Sequence, residues 1–290
     1  MVTRFRQTLF ILNYNPAAML SYLRIMRPLN SLMATVGVFA GALIASGRTV
    51  LTVTGFSPVV LAMMSVFLFM GAGNSLNDYL DAESDAKNHP ERPIPSGRIR
   101  RKNALLFSIF LFIAAAIIAI FIGPYALAIE LLATLFMVSY EASLKKKGLP
   151  GNLTIAFLTS ALFLYGGAAT GEMKNTVIFS ILAFLVSAGR EITKDIEDME
   201  GDLGRETLPM KIGKRGAGTL ASLFIISGVA LSPLPFLLSQ VNSLFVPAVA
   251  AADVIFIYSA IILKQDEHRG QKICKYGMLT ALIAFIIGVI

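Results

Sequence analysis

Long apolar stretches separated by short polar ones dominate this chain. A helix needs about 20 mostly apolar residues to cross a bilayer. Segments of that kind fall at 28–46, 57–77, 103–122, 124–143, 152–170, 175–194, 216–237, 242–263 and 273–290. Period-2 alternation is absent, which excludes a closed β-barrel. A backbone inside lipid must satisfy its own hydrogen bonds, so these segments are predicted to be nine helices. The expected fold class is an all-α membrane protein, with residues 1–290 as a single polytopic domain. Before the first span, the apolar run from Thr8 to Leu12 is broken by Asn13, Tyr14, Asn15 and Pro16, and no small-residue cleavage site follows. Residues 1–27 are therefore expected to lie in the membrane interface rather than to form a cleaved signal.

Composition agrees with this pattern. Only 15% of residues are charged, against roughly 25% in soluble domains. The mean hydropathy is +0.71. A water-exposed surface could not be built from so little charge, and a disordered or disulfide-stapled chain is excluded as well. The single cysteine, Cys274, rules out an intrachain disulfide and is expected to be a packing residue. Two histidines, His89 and His268, are too few for a histidine-rich metal site.

The net charge of +7 could suggest nucleic acid, but its placement reports topology instead. With nine alternating spans, 23 of the 25 Lys and Arg residues fall on one side, and only Arg48 and Lys174 on the other. Basic loops mark the cytoplasmic side. The N-terminus is thus expected in the cytoplasm and the C-terminus outside. Nucleic acid is not an expected partner.

Acidic residues are not called for by that rule, yet 12 of the 18 crowd into two cytoplasmic windows after the second and sixth spans. Asn74, Asp78, Asp81 and Asp85 are spaced i, i+4, i+7, i+11, and Glu191, Asp195, Asp198 and Asp202 repeat those intervals 117 residues later. On a helix such intervals trace one face. Both stripes lie at helix C-termini, where the dipole and mutual repulsion disfavour carboxylates. Compensating cations are required. Short Asp oxygens with Asn77 alongside suit hard ions such as Mg²⁺, which take one or two carboxylates plus phosphate oxygens.

Basic residues complete a predicted polyphosphate site. Arg92 and Arg98 lie in HPERPIPSGR at 89–98, Lys145, Lys146 and Lys147 follow the fourth span, and Arg190 and Lys194 share the helix of the second stripe. Guanidinium and ammonium groups can bind phosphate oxygens that metals leave free. For any single one of them, a topological charge is the simpler reading.

The motif NDYLDAESD at 77–85 resembles the N-D-x-x-D-x-x-x-D of the UbiA superfamily of intramembrane prenyltransferases, and DIEDMEGD at 195–202 resembles its D-x-x-D-x-x-x-D. The nine-span layout agrees along essentially the whole chain. Within the superfamily, GAGNSLNDYLDAESD, ERPIPSGRI and GREITKDIEDMEGD are most similar to the archaeal digeranylgeranylglyceryl phosphate synthases.

The resemblance implies nine helices around a central cavity open to the bilayer, with the active site at the cytoplasmic side. It implies Mg²⁺ held by Asn77, Asp78, Asp81, Asp85, Asp195, Asp198 and Asp202, and a prenyl diphosphate bound to it. Arg92, Arg98, Lys145, Lys146, Lys147 and Lys194 would contact the diphosphate or an acceptor phosphate. In the archaeal subfamily the donor is geranylgeranyl diphosphate, and the acceptor is the sn-2 hydroxyl of geranylgeranylglyceryl phosphate. Arg27 and Asn30 in RPLN at 27–30, together with Asn74, Tyr140 and Arg190, are candidates for the substrate pocket. An aromatic acceptor, as in quinone, chlorophyll or haem precursors, is the alternative, and only the wording around the motifs argues against it.

Two other readings fit less well. A cation-coupled transporter would place its acids near the bilayer midplane. An intramembrane phosphotransferase of the CDP-alcohol type begins its signature with Asp-Gly, a dipeptide absent here. Gly71, Gly73 and Asn74 resemble a phosphate loop, but they end a span and no βαβ unit surrounds them. Gly37 and Gly41 form GxxxG and predict close helix packing. Glu130 and Asp253 lie inside spans and are expected to make interhelical hydrogen bonds.

Overall fold

The computed structural model describes residues 16–199 and 206–290. Asp202 and residues 1–15 of the expected interfacial segment lie outside the described residues. Twelve helices follow in order: α1 (Pro16–Ile25), α2 (Pro28–Ser46), α3 (Val53–Leu80), α4 (Ala82–Asn88), α5 (Arg101–Ile122), α6 (Pro124–Ala142), α7 (Leu149–Thr170), α8 (Val177–Asp198), α9 (Leu208–Leu231), α10 (Leu234–Leu237), α11 (Phe245–Ile262) and α12 (Glu267–Val289). Nine of these, α2, α3, α5 to α9, α11 and α12, are long and apolar enough to cross a membrane. The described residues contain no β-strand. The chain is a multi-pass membrane protein.

The helices outrun the apolar windows. α3 continues into the first motif as far as Leu80 and α8 into the second as far as Asp198, while a short helical segment from Leu208 is set off from the rest of α9 by a kink at Gly213 (φ 76°, ψ 157°). Hydropathy alone would leave 78–102 and 195–215 as cytoplasmic motif loops, yet both are partly helical, with α4 as a further helix inside the first. Hydropathy ends where charge begins, but backbone hydrogen bonding does not. Where the side chains can reach water or a counter-ion, the ladder continues.

Neighbouring helices pack along the chain order, α3 on α5, α6 on α7, α8 on α9 and α11 on α12, and α12 returns against α2 and α8. α2 also lies along α7. There, a Cβ on Gly41 would meet the Phe163 backbone at 2.6 Å, and one on Gly166 would meet Val38 O at 2.2 Å. Only glycine permits this approach, as the GxxxG spacing anticipates. Buried polar side chains pair across helices. Ser65 Oγ contacts Glu130 Oε2 at 3.4 Å and accepts from Tyr165 OH at 2.8 Å. Ser232 Oγ donates to Asp253 Oδ2 at 2.6 Å. Both intramembrane acids thus serve interhelical hydrogen bonds. Cys274 is buried in α12, as its packing role requires.

Candidate active site

The first motif sits where α3 ends. Asp81 closes α3 and opens α4, with φ −89° and ψ 7°. The i→i−4 bonds continue across this bend, from Asp81 N to Asn77 O and from Asp85 N to Asp81 O. The helical stagger of Asn77, Asp78, Asp81 and Asp85 therefore survives although the helix itself breaks.

Each carboxylate has a cation from another part of the chain. Arg27 Nη2 donates to Asp78 Oδ1 at 2.6 Å and to Asn77 Oδ1 at 3.2 Å. Arg27 caps the start of α2 in the left-handed region, φ 49° and ψ 67°. A non-glycine residue there costs of order 1–3 kcal/mol and is typical of functional sites. That backbone aims its guanidinium at the motif. Lys145 Nζ donates to both Asp81 oxygens at 2.7 and 2.8 Å. Arg92 Nη1 donates to both oxygens of the buried Asp85 at 2.7 Å. Partial burial works against the Arg92 charge, but the Asp85 hydrogen bond and carboxylate outweigh it and hold the guanidinium above its ordinary pKa.

The turn between α6 and α7 joins the two motifs. Lys145 lies in it and reaches Asp81, while Lys146 O accepts from Glu206 N at 2.9 Å, just past the second motif. Gly148, at φ +66°, approaches Leu208 so closely that a Cβ would sit 2.5 Å from its nitrogen. One turn into α7, Asn152 Nδ2 donates to Asp195 Oδ2 at 2.9 Å. Residues 195–198 of the second motif occupy the end of α8, with Asp195 half-buried and Asp198 exposed. Arg190 Nη1 donates to Glu191 Oε1 at 2.5 Å.

The other predicted residues scatter. Asn74 Nδ2 donates to Met26 O at 2.9 Å and ties α3 to the end of α1. Tyr140 is half-buried in the last turns of α6. Asn30, Lys146, Lys147 and Lys194 are exposed. Arg98 is exposed too, bonding Ser96 Oγ and Glu91 O within its own loop.

Two buried residues were not anticipated. Glu141 Oε2 accepts from Asn77 Nδ2 at 2.8 Å and from Lys145 Nζ at 3.1 Å. Asn152 holds Asp195. Glu141 and Lys145 are an i,i+4 acid–base pair, a signal present in the sequence. Asn152 is a lone amide opening an apolar span, a signal only in retrospect.

The donor set is oxygen-only and hard, which fits Mg²⁺. Among the described residues no three His, Cys, Asp or Glu side chains stand together as a closed metal cage. An ion here would take one or two carboxylates and complete its shell from ligand oxygens and water, the arrangement Mg²⁺ favours. Further into the bundle, a cavity of about 240 Å³ opens between α2, α7, α8, α9, α11 and α12. Its walls include Met33, Leu162, Phe163, Val186 and Phe285, with Asp253 and Ser232 as rare polar members.

Carboxylates paired with cations at one end of a transmembrane bundle, with an apolar cavity within it, form a candidate intramembrane active site. The chain belongs to the UbiA prenyltransferase family, whose model matches residues 34–286. It is 40% identical over 274 residues to the digeranylgeranylglyceryl phosphate synthase of Methanothermobacter thermautotrophicus, covering 92% of this chain and 95% of that protein. A solved structure of a digeranylgeranylglyceryl phosphate synthase superposes with a TM-score of 0.85 at 35% identity, covering 94% of this chain and 98% of the other. A UbiA homolog from Archaeoglobus fulgidus, bound to DMAPP and Mg²⁺, shares the fold with a TM-score of 0.68 at 17% identity, over 91% of this chain and 99% of that one. The protein is a membrane prenyltransferase.

Proposed function

We propose that this enzyme transfers a geranylgeranyl group from geranylgeranyl diphosphate to the sn-2 hydroxyl of geranylgeranylglyceryl phosphate, releasing diphosphate, as a step in archaeal ether-lipid synthesis. The observation that carries this reading is the 40% identity, along nearly the whole of both chains, to a synthase of that name. The motif end of the bundle faces the cytoplasm and the C-terminus lies outside, a topology supported by the 23 of 25 basic residues on one side. Residues 1–290 act as one domain.

In the reaction the C1–O bond of the donor breaks, its electron pair leaves with the diphosphate, and the acceptor oxygen bonds C1 and loses its proton. Mg²⁺, when bound, neutralises the diphosphate and stabilises the charge that develops on it as it leaves. Asn77, Asp78, Asp81, Asp85, Asp195 and Asp198, with Asp202 beyond the described residues, would hold it. Arg27, Lys145 and Arg92, placed on these aspartates, would also offer donors to phosphate oxygens, and Arg98, Lys146, Lys147 and Lys194 would contribute positive potential from the rim. Burying the prenyl chain among Phe163, Val186 and Phe285 would keep water from an allylic cation.

Purified protein incubated with geranylgeranyl diphosphate, Mg²⁺ and a panel of acceptors, read by mass spectrometry, tests this. The expected product is digeranylgeranylglyceryl phosphate. Prenylation of 4-hydroxybenzoate in preference to geranylgeranylglyceryl phosphate would overturn the acceptor assignment.

A further inference from the structure

Glu141 belongs to neither aspartate motif, and its position is costly. It lies in the last turn of α6, where the helix dipole disfavours a carboxylate, and its side chain is only 8% exposed. Its Oε2 accepts from Asn77 Nδ2 and Lys145 Nζ. Asn77 Nδ2 also donates to Asp81 Oδ2 at 3.1 Å, and Lys145 Nζ to both Asp81 oxygens. Glu141, Asn77, Asp81 and Lys145 thus form a closed ring with two acids and one cation.

This balance matters for a metal that must bind Asp81. Lys145, also 8% exposed, competes for the same oxygens, and a buried ammonium left without a counter-ion is strongly unfavourable. With Glu141 beside it, Lys145 can give up Asp81 and remain paired. Without the Glu141 charge, Asp81 would be the only acid among the described residues within ion-pair distance of Lys145, and the lysine would hold it against the metal.

Building on the Mg²⁺ assignment above, we propose that Glu141 is a positioning residue that acts through Lys145: it is the lysine's standing counter-ion, and it thereby frees Asp81 for the divalent ion.

The test is direct metal binding rather than turnover. Mn²⁺ binding to the purified full chain is followed by EPR, alone and with a non-reactive thio analogue of geranylgeranyl diphosphate. Glu141→Gln is expected to weaken Mn²⁺ binding by about tenfold, the equivalent of about 1.4 kcal/mol, and Glu141→Asp by less. In a Lys145→Met background the Glu141→Gln effect should vanish, because no ammonium is left to release. Unchanged Mn²⁺ affinity in Glu141→Gln overturns the proposal. So does a loss of the same size in the Lys145→Met background, since a packing role would not depend on the lysine. If Glu141→Gln does not fold alone, the comparison of Glu141→Asp with and without Lys145→Met decides in the same way. Wild-type protein that retains no Mn²⁺ even with the analogue would instead overturn the metal assignment, and this proposal with it.

Discussion

Removing the Arg27 side chain separates two contributions that the structure places in one residue. Asp78 is 5% exposed in its side chain and Arg27 is 34% exposed. Breaking a fully buried pair costs roughly 3–5 kcal/mol, and an exposed pair is worth about 0–1 kcal/mol. With one partner a third open to water, Arg27→Ala should destabilise the protein by about 2 kcal/mol. Arg27→Gly removes the same contacts but also relieves the φ 49° backbone. It should therefore recover about 1 kcal/mol of that loss. The assay is thermal unfolding of both variants in one detergent, beside kcat/KM for the prenyl diphosphate. Both should lose about tenfold or more in kcat/KM, since each 1.4 kcal/mol is a factor of ten, while the glycine variant unfolds at the higher temperature. Wild-type turnover in Arg27→Ala would refute the site role. An alanine variant as stable as the glycine variant would refute the backbone argument.

Other consequences can be checked separately. Asp81→Ala or Asp198→Ala should abolish turnover while the protein still inserts, and activity like the wild type in either would remove that residue from the metal set. EDTA should stop the reaction and added Mg²⁺ restore it, as an oxygen-only donor set requires, and chelator-insensitive turnover would contradict this. A Cβ at Gly166 would press on Val38 O at 2.2 Å and Ala42 N at 2.6 Å, both backbone atoms. Gly166→Ala should therefore cost about 1–3 kcal/mol by overpacking, read as a lower unfolding temperature. A reporter fused to the C-terminus should read as external, and a cytoplasmic signal would reverse the proposed topology.

The spans were legible because lipid imposes a length and a composition on any helix that crosses it, and both can be counted in the sequence. Helix ends were less so. Asp78 and Asp195 lie inside helices α3 and α8 because charged residues continue a helix once they can reach water or a partner, and no hydropathy count registers that. The two aspartate stripes were visible as spacing, and the Asp–cation pairings were not. Arg27 reaches Asp78 across 51 positions and Lys145 reaches Asp81 across 64, and such contacts are set by how α2 and the α6–α7 turn dock on α3. The left-handed backbone of Arg27 was equally hidden, since local preference argues against it.

The same basic residues illustrate why charge alone could not separate topology from chemistry. Lys145, Lys146 and Lys147 are one run, and the positive-inside rule treats them alike. The fold does not. Lys145 is buried between Asp81 and Glu141, while Lys146 and Lys147 are exposed. A topological charge needs only water on the correct side of the membrane. A charge buried within a site is drawn out of water, and it tolerates that only when opposite charge is already in place. Glu141 is therefore as informative as the lysine it holds. An acid with no motif and no topological reason to be present, four residues before a basic run at a helix end, marks which member of the run is turned inward.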